Sequence, residues 1–467
     1  MAAEVVRRVA EEDAYSNRLL PALLKRSGLS SRDRGLAVEL AMGTLRRLPA
    51  IDHALSSAVA RPLGEASPEA RAALRVGAYQ LLFTRIPDHA AVAESVALVN
   101  RPGRGFVNAV LRRLARHPPR WPDGPDDAAV AIRSGLAPWA VAELRTLLGE
   151  GGSGGVARQE RDRADQDSER TPRWEGGSGG VARQERDRPG RDSERTPQWE
   201  VEEAAVALAG PAPLTIRTNP CRVTTEDLEA ALRAGGHEPE AGRLHPGCLR
   251  LARGSPAALP GFAEGWFAVQ DEASAWVVDV LDPRPGDLVL DACAGPGGKA
   301  GDIACRAGAV VAGDLSEGRA RLVGQAAARL GVTARVLVSD AARPAVGEGF
   351  DRVLVDAPCS GIGSARRRPE LLWRPLRSRL SGLARLQVRL AAGAASVLRP
   401  GGVLVYSVCT FPRAETDAVC DALLGKAPHL SPDPFPGPDG ELVERARLWP
   451  HRHGTDGMFV ARFIRAR

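Results

Sequence analysis

The stretch Leu288-Val289-Leu290-Asp291-Ala292-Cys293-Ala294-Gly295-Pro296-Gly297-Gly298-Lys299 joins an apolar run of strand length to a glycine-rich turn. This order is typical of the first strand and turn of an open parallel sheet that holds a cofactor. From about residue 261 to 467, further apolar runs alternate with segments of helical periodicity. They predict a doubly wound α/β domain of the Rossmann-like type. Its strands are expected at 287–292, 309–314, 334–339, 352–357, 402–407 and 457–464, and its helices at 298–307, 316–330 and 380–398.

The rest of the chain divides into four segments. In residues 1–120 apolar side chains recur at helical spacing, which predicts an all-helical domain, and residues 121–149 are expected to form a helical connector. Residues 150–199 hold two nearly identical copies of a unit rich in glycine, proline and charge. Because so few apolar groups cannot offset the entropy of ordering, we expect a disordered insertion there. The pattern of residues 200–260 predicts a small α+β module.

Charge and cysteine content limit the class of protein. The chain has 467 residues, seven cysteines and a formal net charge of +6, which fits an anionic partner. The cysteines form no CxxC pair, which argues against a structural zinc site and against a disulfide framework. No apolar run has the length of a signal peptide core or a membrane span. We therefore expect a cytoplasmic, monomeric protein with no metal and no membrane partner.

Two cysteines follow two predicted strands near the point where each strand ends. Cys359 comes shortly after Val353-Leu354-Val355-Asp356, and Cys409 directly follows Val403-Leu404-Val405-Tyr406-Ser407-Val408. Because ligands of an open parallel sheet bind outside the carboxyl ends of its strands, both thiols should face one crevice. A lone cysteine in apolar surroundings usually only fills space, but two at one sheet edge favour a chemical role.

Three cofactors compete for the glycine turn at 293–299. A phosphate loop is excluded, because Gly298-Lys299 is followed by Ala300, which has no hydroxyl for magnesium. A dinucleotide fingerprint is met only with Ala300 in place of its third glycine, so a nicotinamide dinucleotide stays possible. S-adenosylmethionine fits better, since Asp314 ends the next predicted strand and could accept hydrogen bonds from the ribose hydroxyls. Asp340 ends the following strand and could accept the adenine amine, although either aspartate could instead serve a turn or a helix cap.

The chain resembles the RNA cytosine-C5 methyltransferase family that is often called Nol1/Nop2/Sun. The resemblance rests on motifs at 270–274, 291–299, 356–361, 366–374 and 453–457. The helical first domain is similar to the antitermination factor NusB, through segments at 32–34, 43–46, 74–80 and 107–113. A NusB-like domain before a methylase is the layout of the Fmu/RsmB proteins, which modify a cytosine of bacterial small-subunit ribosomal RNA. The resemblance implies a class I S-adenosylmethionine-dependent methyltransferase that acts on 16S rRNA.

The chemistry of cytosine gives the two thiols distinct tasks. Carbon C5 is too weak a nucleophile to take a methyl group unaided, so a thiolate must first add to C6. The residues alone do not rank the thiols, but the resemblance assigns the attack to Cys409. It assigns base binding and charge stabilisation to Asp356, and proton loss or adduct release to Cys359. The expected cofactor-binding residues are Cys293, Ala294, Gly295, Pro296, Gly297, Gly298, Lys299, Asp314, Asp340 and Asp356.

The expected partner is small-subunit ribosomal RNA. Arg366, Arg367 and Arg368 are expected to contact RNA phosphates near the pocket. Two alternatives stay open, namely the same chemistry on transfer RNA or another ribosomal site, and a non-catalytic RNA-binding factor of ribosome assembly. The remaining cysteines are expected to pack in the interior, and they are Cys221, Cys248, Cys305 and Cys420.

Overall fold

The structure is a computed structural model that describes residues 1–149, 198–252 and 254–467. The predicted insertion at 150–199 lies outside the described residues, except for its last two positions, which begin a helix. Within the described ranges, no helix is both long enough and apolar enough to cross a membrane.

Seven helices form the N-terminal domain. The fifth is central, because α1, α3, α4, α6 and α7 all pack against it. Its N-terminus is capped by Ser67, whose hydroxyl accepts from the backbone N–H of Ala70, and Leu74 lies fully buried in the core beside Leu55 and Leu111. The helices are α1 Ala2–Glu11, α2 Ser16–Arg26, α3 Ser31–Arg46, α4 Leu48–Ala58, α5 Pro68–Phe83, α6 Asp88–Ala97 and α7 Arg101–Arg116.

Three more helices connect this domain to the rest of the chain: α8 Asp127–Ser134, α9 Pro138–Gly149 and α10 Gln198–Ala209. They pack on one another around a shared apolar cluster that also contains Leu371 and Leu372 from the C-terminal domain. Arg133 on α8 forms an ion pair with Glu202 on α10, with a shortest N–O distance of 2.8 Å. The helices on either side of the insertion therefore belong to one packed unit.

A four-stranded sheet with one helix forms the small module. Its strands are β1 Leu214–Thr218, β2 Glu240–Ala241, β3 Cys248–Leu251 and β4 Phe267–Val269, and its helix is α11 Thr225–Ala234. The spatial order is β2-β3-β1-β4, and every pairing is antiparallel. The sheet extends beyond residue 260, because β4 pairs with β1.

An eight-stranded mixed sheet organises the C-terminal domain. Its strands are β5 Leu288–Asp291, β6 Ala309–Asp314, β7 Arg335–Val338, β8 Phe350–Asp356, β9 Leu398–Val408, β10 Leu430–Pro432, β13 Arg445–Leu448 and β14 Met458–Arg465, while β11 Phe435–Pro436 and β12 Leu442–Val443 form a separate ribbon. The helices are α12 Glu272–Leu281, α13 Gly298–Arg306, α14 Glu317–Leu330, α15 Leu380–Ala395, α16 Asp417–Lys426 and α17 Pro450–His453.

The order along this sheet is β10-β14-β9-β8-β5-β6-β7, with β13 paired to β14. The five strands from β9 to β7 are parallel, and β14 and β10 add an antiparallel edge. Alternate residues of β9 enter two different cores, since Leu404 and Tyr406 pack with α15 and α16 whereas Val405 packs with α12 and α13. Both faces of the sheet are thus covered, which confirms the predicted doubly wound domain.

Two cysteines depart from the prediction. The structure joins Cys221 and Cys305 in a disulfide that links the small module to α13, so the expectation that both only pack in the interior is wrong. Cys248 and Cys420 are free and fully buried, as predicted. The disulfide escaped the sequence because its two cysteines are 84 residues apart and follow no recognisable spacing.

A buried ion pair fixes the small module against α13. Arg217 on β1 and Asp302 on α13 approach to 3.2 Å, and their side chains are 2% and 0% exposed. Arg217 also donates to Gln270 Oε1 and to the Thr218 carbonyl. Since α13 begins in the glycine turn, this pair anchors the turn from outside the main sheet.

We expect Asp302→Ala to lower the free energy of unfolding by about 3–5 kcal/mol, because it leaves the Arg217 guanidinium buried without its counter-charge and also removes the ion pair of Asp302 with Arg306. For a domain of this size the thermal midpoint should fall by roughly 10 °C, which calorimetry measures. Glu317→Gln is the control, since its ion pair with Arg321 is exposed and worth under about 0.5 kcal/mol. Equal midpoints for the two variants would contradict the anchoring role.

Candidate active site

The two predicted thiols meet at the carboxyl edge of the parallel sheet. Strands β8 and β9 are neighbours, with Asp356 opposite Ser407, so the chain leaves both strands at the same level. Cys359 and Cys409 follow these ends, and their Sγ atoms lie 3.5 Å apart. The predicted shared crevice is therefore present, and the thiols are close enough for a hydrogen bond.

The contact between the two thiols shifts their pKa values in opposite directions. The hydrogen bond from Cys359 lowers the pKa of Cys409 to about 7 against the effect of burial, and the positive charges of Arg368 and Lys299 act in the same direction. The same hydrogen bond, together with burial, raises the pKa of Cys359. Of the two thiols, Cys409 is therefore the one that ionises more readily, and the thiolate is the reactive form.

Asp356 is held at the end of β8 by two donors. Ser407 Oγ donates to Asp356 Oδ1 at 2.9 Å, and Lys299 Nζ donates to Oδ2 at 2.6 Å. Burial opposes the charge on Lys299, but the ion pair with Asp356 raises its pKa, so the ammonium persists. The carboxylate side chain is still 32% exposed, which leaves it accessible to a ligand.

The glycine turn lies beside the next strand end. The Gly295 N–H donates to Asp314 Oδ2 at 3.0 Å, which ties the turn to the end of β6. Gly297 caps α13 with φ +107°, and a side chain there would press on the backbone of Val323 on α14. The turn thus needs glycine both for its conformation and for its close approach to α14.

Two adjoining cavities share Cys293 as a lining residue. One, of about 340 Å³, is lined by the turn and by Asp291, Lys299, Asp356 and Cys409. The other, of about 650 Å³, is lined by the two predicted strand-end aspartates Asp314 and Asp340, together with Leu315, Arg343, Pro358, Leu386 and Arg389. All of the predicted cofactor-binding residues except Gly297 therefore line one or the other of two cavities that meet at Cys293, and their contact with a cofactor stays a prediction.

The two strand-end aspartates already make local contacts. Asp314 accepts from the Ser316 N–H at 2.9 Å and forms an ion pair with Arg319 at 3.1 Å. Asp340 accepts from the Ala342 N–H at 2.9 Å, a turn contact of the kind considered as the alternative role. Both still line the larger cavity, so the turn contact and a ligand-binding role are compatible.

Asp291 lies within the motif at 291–299, but the sequence pattern assigns it no role. It is 1% exposed, and neither carboxylate oxygen has a hydrogen-bond partner among the described residues. Burial, and next the nearby charge of Asp356, raise its pKa to about 7. A buried carboxylate without donors is costly, so this side of the cavity favours a cationic ligand group.

Glu415 is a second residue that the sequence did not reveal. It is fully buried and accepts from the Ser360 N–H and from Gln387 Nε2, each at 2.9 Å. Gln387 also donates to the Pro358 carbonyl. These bonds fix the turn that carries Cys359 from both sides, and no local pattern encodes them because they join three distant segments.

The three arginines expected on RNA phosphates have partners within the protein. Arg366 donates to the carbonyls of Gly454, Thr455 and Pro211. Arg367 pairs with Asp271 at 2.8 Å and with Asp456 at 3.0 Å, and Arg368 donates to the Ser364 hydroxyl. Their first task is therefore to hold loops around the cavity, and a contact with RNA stays a prediction.

Comparison with known proteins gives the affiliation of the chain. A Klebsiella pneumoniae protein named ribosomal RNA small subunit methyltransferase B is 31% identical and aligns over 100% of this chain and 98% of its own length. The chain belongs to the RsmB/F family of 16S rRNA methyltransferases. The family profile of the methyltransferase RsmB/F matches residues 278–464, and that of the NusB family matches residues 1–116.

Other relatives cover similar lengths. A Mycobacterium tuberculosis protein named as a methyltransferase is 35% identical over 98% of this chain and 94% of its own. The crystal structure of PH0851 superposes with a TM-score of 0.76 at 23% identity, covering 99% of this chain and 97% of that one. The structure of NSun6 from Pyrococcus horikoshii with SFG covers 58% of this chain and 95% of that one, with a TM-score of 0.52 at 22% identity. These two matches show that both solved proteins share the fold of this chain.

We expect the alkylation rate of Cys409 by iodoacetamide to rise with pH and to reach half its maximum near pH 7. Cys359→Ala removes the hydrogen bond to the thiolate, which is worth about 1.5–3 kcal/mol, so the midpoint should move up by about 1–2 pH units. Peptide mass spectrometry of the labelled protein measures both midpoints. An unchanged midpoint in Cys359→Ala would show that the thiols do not share a hydrogen bond in solution.

Proposed function

We propose that the protein methylates C5 of a cytosine in small-subunit (16S) ribosomal RNA, with S-adenosylmethionine as methyl donor and Cys409 as nucleophile. The observation that carries the proposal is the pair of thiols 3.5 Å apart, one of which, Cys409, lines a cavity together with Asp356 and the glycine turn. The names of the relatives support ribosomal RNA as the substrate.

The two thiols suit the two stages of the reaction. The Cys409 thiolate adds to C6 of the base, an S–C6 bond forms, and the electron pair of the C5–C6 double bond becomes available at C5 for the methyl group. The proton on C5 must then leave so that the S–C6 bond can break and the double bond can return. Cys359 lies 3.5 Å from the Cys409 sulfur, so it is close enough to assist that proton loss, once its own proton has passed to solvent, or to assist the release of the adduct.

Asp356 would hold the base for the attack. Its carboxylate, fixed by Ser407 and Lys299, would meet the ring nitrogen and the exocyclic amine of cytosine. The adjacent Lys299 ammonium offsets negative charge that develops on the ring during addition. Because a cytosine that is stacked between its neighbours cannot enter the crevice, it must be flipped out of its stack to reach these groups.

The residues present fit S-adenosylmethionine. When bound, this cofactor would supply an electrophilic methyl group on a sulfonium. The unpartnered Asp291 carboxylate suits its ammonium, the glycine turn allows close backbone approach, and Asp314 and Asp340 can accept from the ribose and the adenine amine. A ribosomal RNA substrate also agrees with the expected cytoplasmic location.

Methyl transfer tests the proposal directly. Labelled donor is supplied with undermethylated small-subunit RNA, large-subunit RNA and transfer RNA, and incorporation is measured for the wild type and for Cys409→Ala. We expect labelling of the small-subunit RNA and a loss of at least about 10³-fold in Cys409→Ala, because the attacking atom is gone. The control is Cys420→Ala, a buried cysteine on α16 that does not line either cavity.

Each arm of this experiment has its own meaning. Labelling of transfer RNA or large-subunit RNA alone would replace the proposed substrate but keep the chemistry. Absence of labelling on all three RNAs would favour a non-catalytic assembly factor. Full activity in Cys409→Ala would refute the assignment of the nucleophile.

Asp291 gives the cofactor site a pH dependence. Since its pKa is raised to about 7, the carboxylate becomes protonated as the pH falls through 7 and loses its attraction for an ammonium group. We expect the affinity for S-adenosylmethionine to fall from pH 8 to pH 6, and Asp291→Asn to lower it by about 10–100-fold at pH 8 and to flatten the profile. Isothermal titration measures both, with the exposed Asp439→Asn as control. A steep profile that survives in Asp291→Asn would assign the titration to another group.

A further inference from the structure

We propose that Glu370 couples the N-terminal helical domain to the active-site loop by capping helix α2 from the C-terminal domain. Glu370 is thereby a positioning residue for Cys409. This inference rests on the proposed function, and it assigns the N-terminal domain a task in the reaction itself, in addition to any contact with RNA.

Helix α2 takes its N-terminal cap from the C-terminal domain. Its own N-cap residue, Tyr15, makes no side-chain cap bond, and its first turn contains no acidic residue. Glu370 Oε1 accepts from the Ser16 N–H at 3.1 Å, and Oε2 accepts from the Ser16 hydroxyl at 2.6 Å. Both residues are fully buried. A carboxylate at this position satisfies a free N–H and interacts favourably with the helix dipole.

Two residues near Glu370 also form hydrogen bonds with the N-terminal domain. Arg374 Nη2 donates to the Ala14 carbonyl at 2.7 Å, and its guanidinium lies 4.9 Å from the centre of the Tyr15 ring. Trp373 Nε1 donates to the Leu45 carbonyl at 2.9 Å, and its ring packs on the core formed by α1, α3 and α5. The side chains of Glu370, Trp373 and Arg374 are therefore held by the N-terminal domain, whereas Leu371 and Leu372 between them pack against the connector helices.

The same loop reaches the nucleophile. It leaves Ser360, immediately after Cys359, and the Gly363 N–H donates to the Cys409 carbonyl at 3.1 Å. The Gly363 carbonyl accepts from the Gly457 N–H at 2.8 Å, and even a Cβ at Gly363 would lie 2.2 Å from the Gly457 carbonyl oxygen. Such close backbone packing transmits displacement, so a shift of the loop at Glu370 would move the backbone of Cys409.

The choice of a carboxylate supports a positioning role over a purely stabilising one. Burying a charge at a domain contact is costly, and apolar side chains of similar size would hold two surfaces together at less cost. A carboxylate with two directed bonds to one residue instead fixes orientation as well as distance. The contact also joins residues 354 positions apart, so it exists only when both domains are folded and docked.

The test compares Glu370→Gln and Ser16→Ala in the full chain, with Glu202→Gln as the matched control. Glu202 also links two helices by an ion pair, but its partner Arg133 lies in the connector. We expect both test variants to lower kcat for RNA methylation about 10-fold with KM for RNA changed less than about twofold, which corresponds to roughly 1.4 kcal/mol at the transition state. The double variant should be no worse than Glu370→Gln alone.

A second readout separates this inference from the proposed function. The alkylation rate of Cys409 at pH 7 without RNA should change in both test variants and stay the same in Glu202→Gln. If the wild type methylates no RNA, the proposed function fails, and the alkylation rates still decide the coupling. If Glu370→Gln does not fold, Ser16→Ala carries the test, because it keeps the charge and the backbone bond. Unchanged kcat and alkylation in folded variants, or an effect on KM for RNA alone, would overturn the inference.

Discussion

The parallel pairing of β8 with β9 is the constraint on which the site depends. It sets Asp356 opposite Ser407, and it brings the two thiols that follow to 3.5 Å. A slip of one residue along either strand would move its end by about 3.3 Å and reverse the side-chain faces. One buried core lies on each face of the sheet, and alternate residues of β8 and β9 pack into one core or the other. A slip would move apolar side chains out of their cores, so the packing opposes it.

The charges around these strand ends act as one system. Lys299 neutralises Asp356 and, with Arg368, favours the thiolate form of Cys409. The oxygens of the buried Asp291 carboxylate have no hydrogen-bond partner of normal geometry within the described residues, so the negative charge that Asp291 carries above its pKa of about 7 is available to a cationic ligand. A thiolate at Cys409 and a positively charged ligand can therefore be held together without a large net charge in a buried site.

The sequence predicts the features that depend on local pattern. Apolar runs and turn residues marked β5, β6, β8 and β9, and the rule for the carboxyl ends of parallel strands placed Cys359 and Cys409 at one crevice. Features that arise from distant contacts could not be predicted. The unpartnered state of Asp291 follows from the folded surroundings, the Glu370 cap joins two domains, and the disulfide partner of Cys305 lies in another module.

The arginines at 366–368 belong to a recognisable motif, but the motif does not show that they make structural contacts within the protein. Their charge suggested phosphate contacts, whereas the fold directs Arg366 and Arg367 to carbonyls and carboxylates of neighbouring loops. Charge alone does not distinguish these uses, because an arginine donates equally well to a phosphate, a carboxylate or a carbonyl. The use of each arginine is decided by the fold, which places carbonyls and carboxylates of neighbouring loops beside Arg366 and Arg367.

The most direct measurement uses substrate RNA in which the target base is 5-fluorocytosine. The fluorine on C5 cannot leave as a proton does, so the enzyme should remain covalently attached to the methylated base, and mass spectrometry of the digested complex identifies the cysteine. We predict attachment at Cys409, and continued attachment at Cys409 when Cys359 is replaced by alanine. Attachment at Cys359, or normal methylation of unmodified RNA with no trapped complex, would contradict the assignment of Cys409 as the nucleophile.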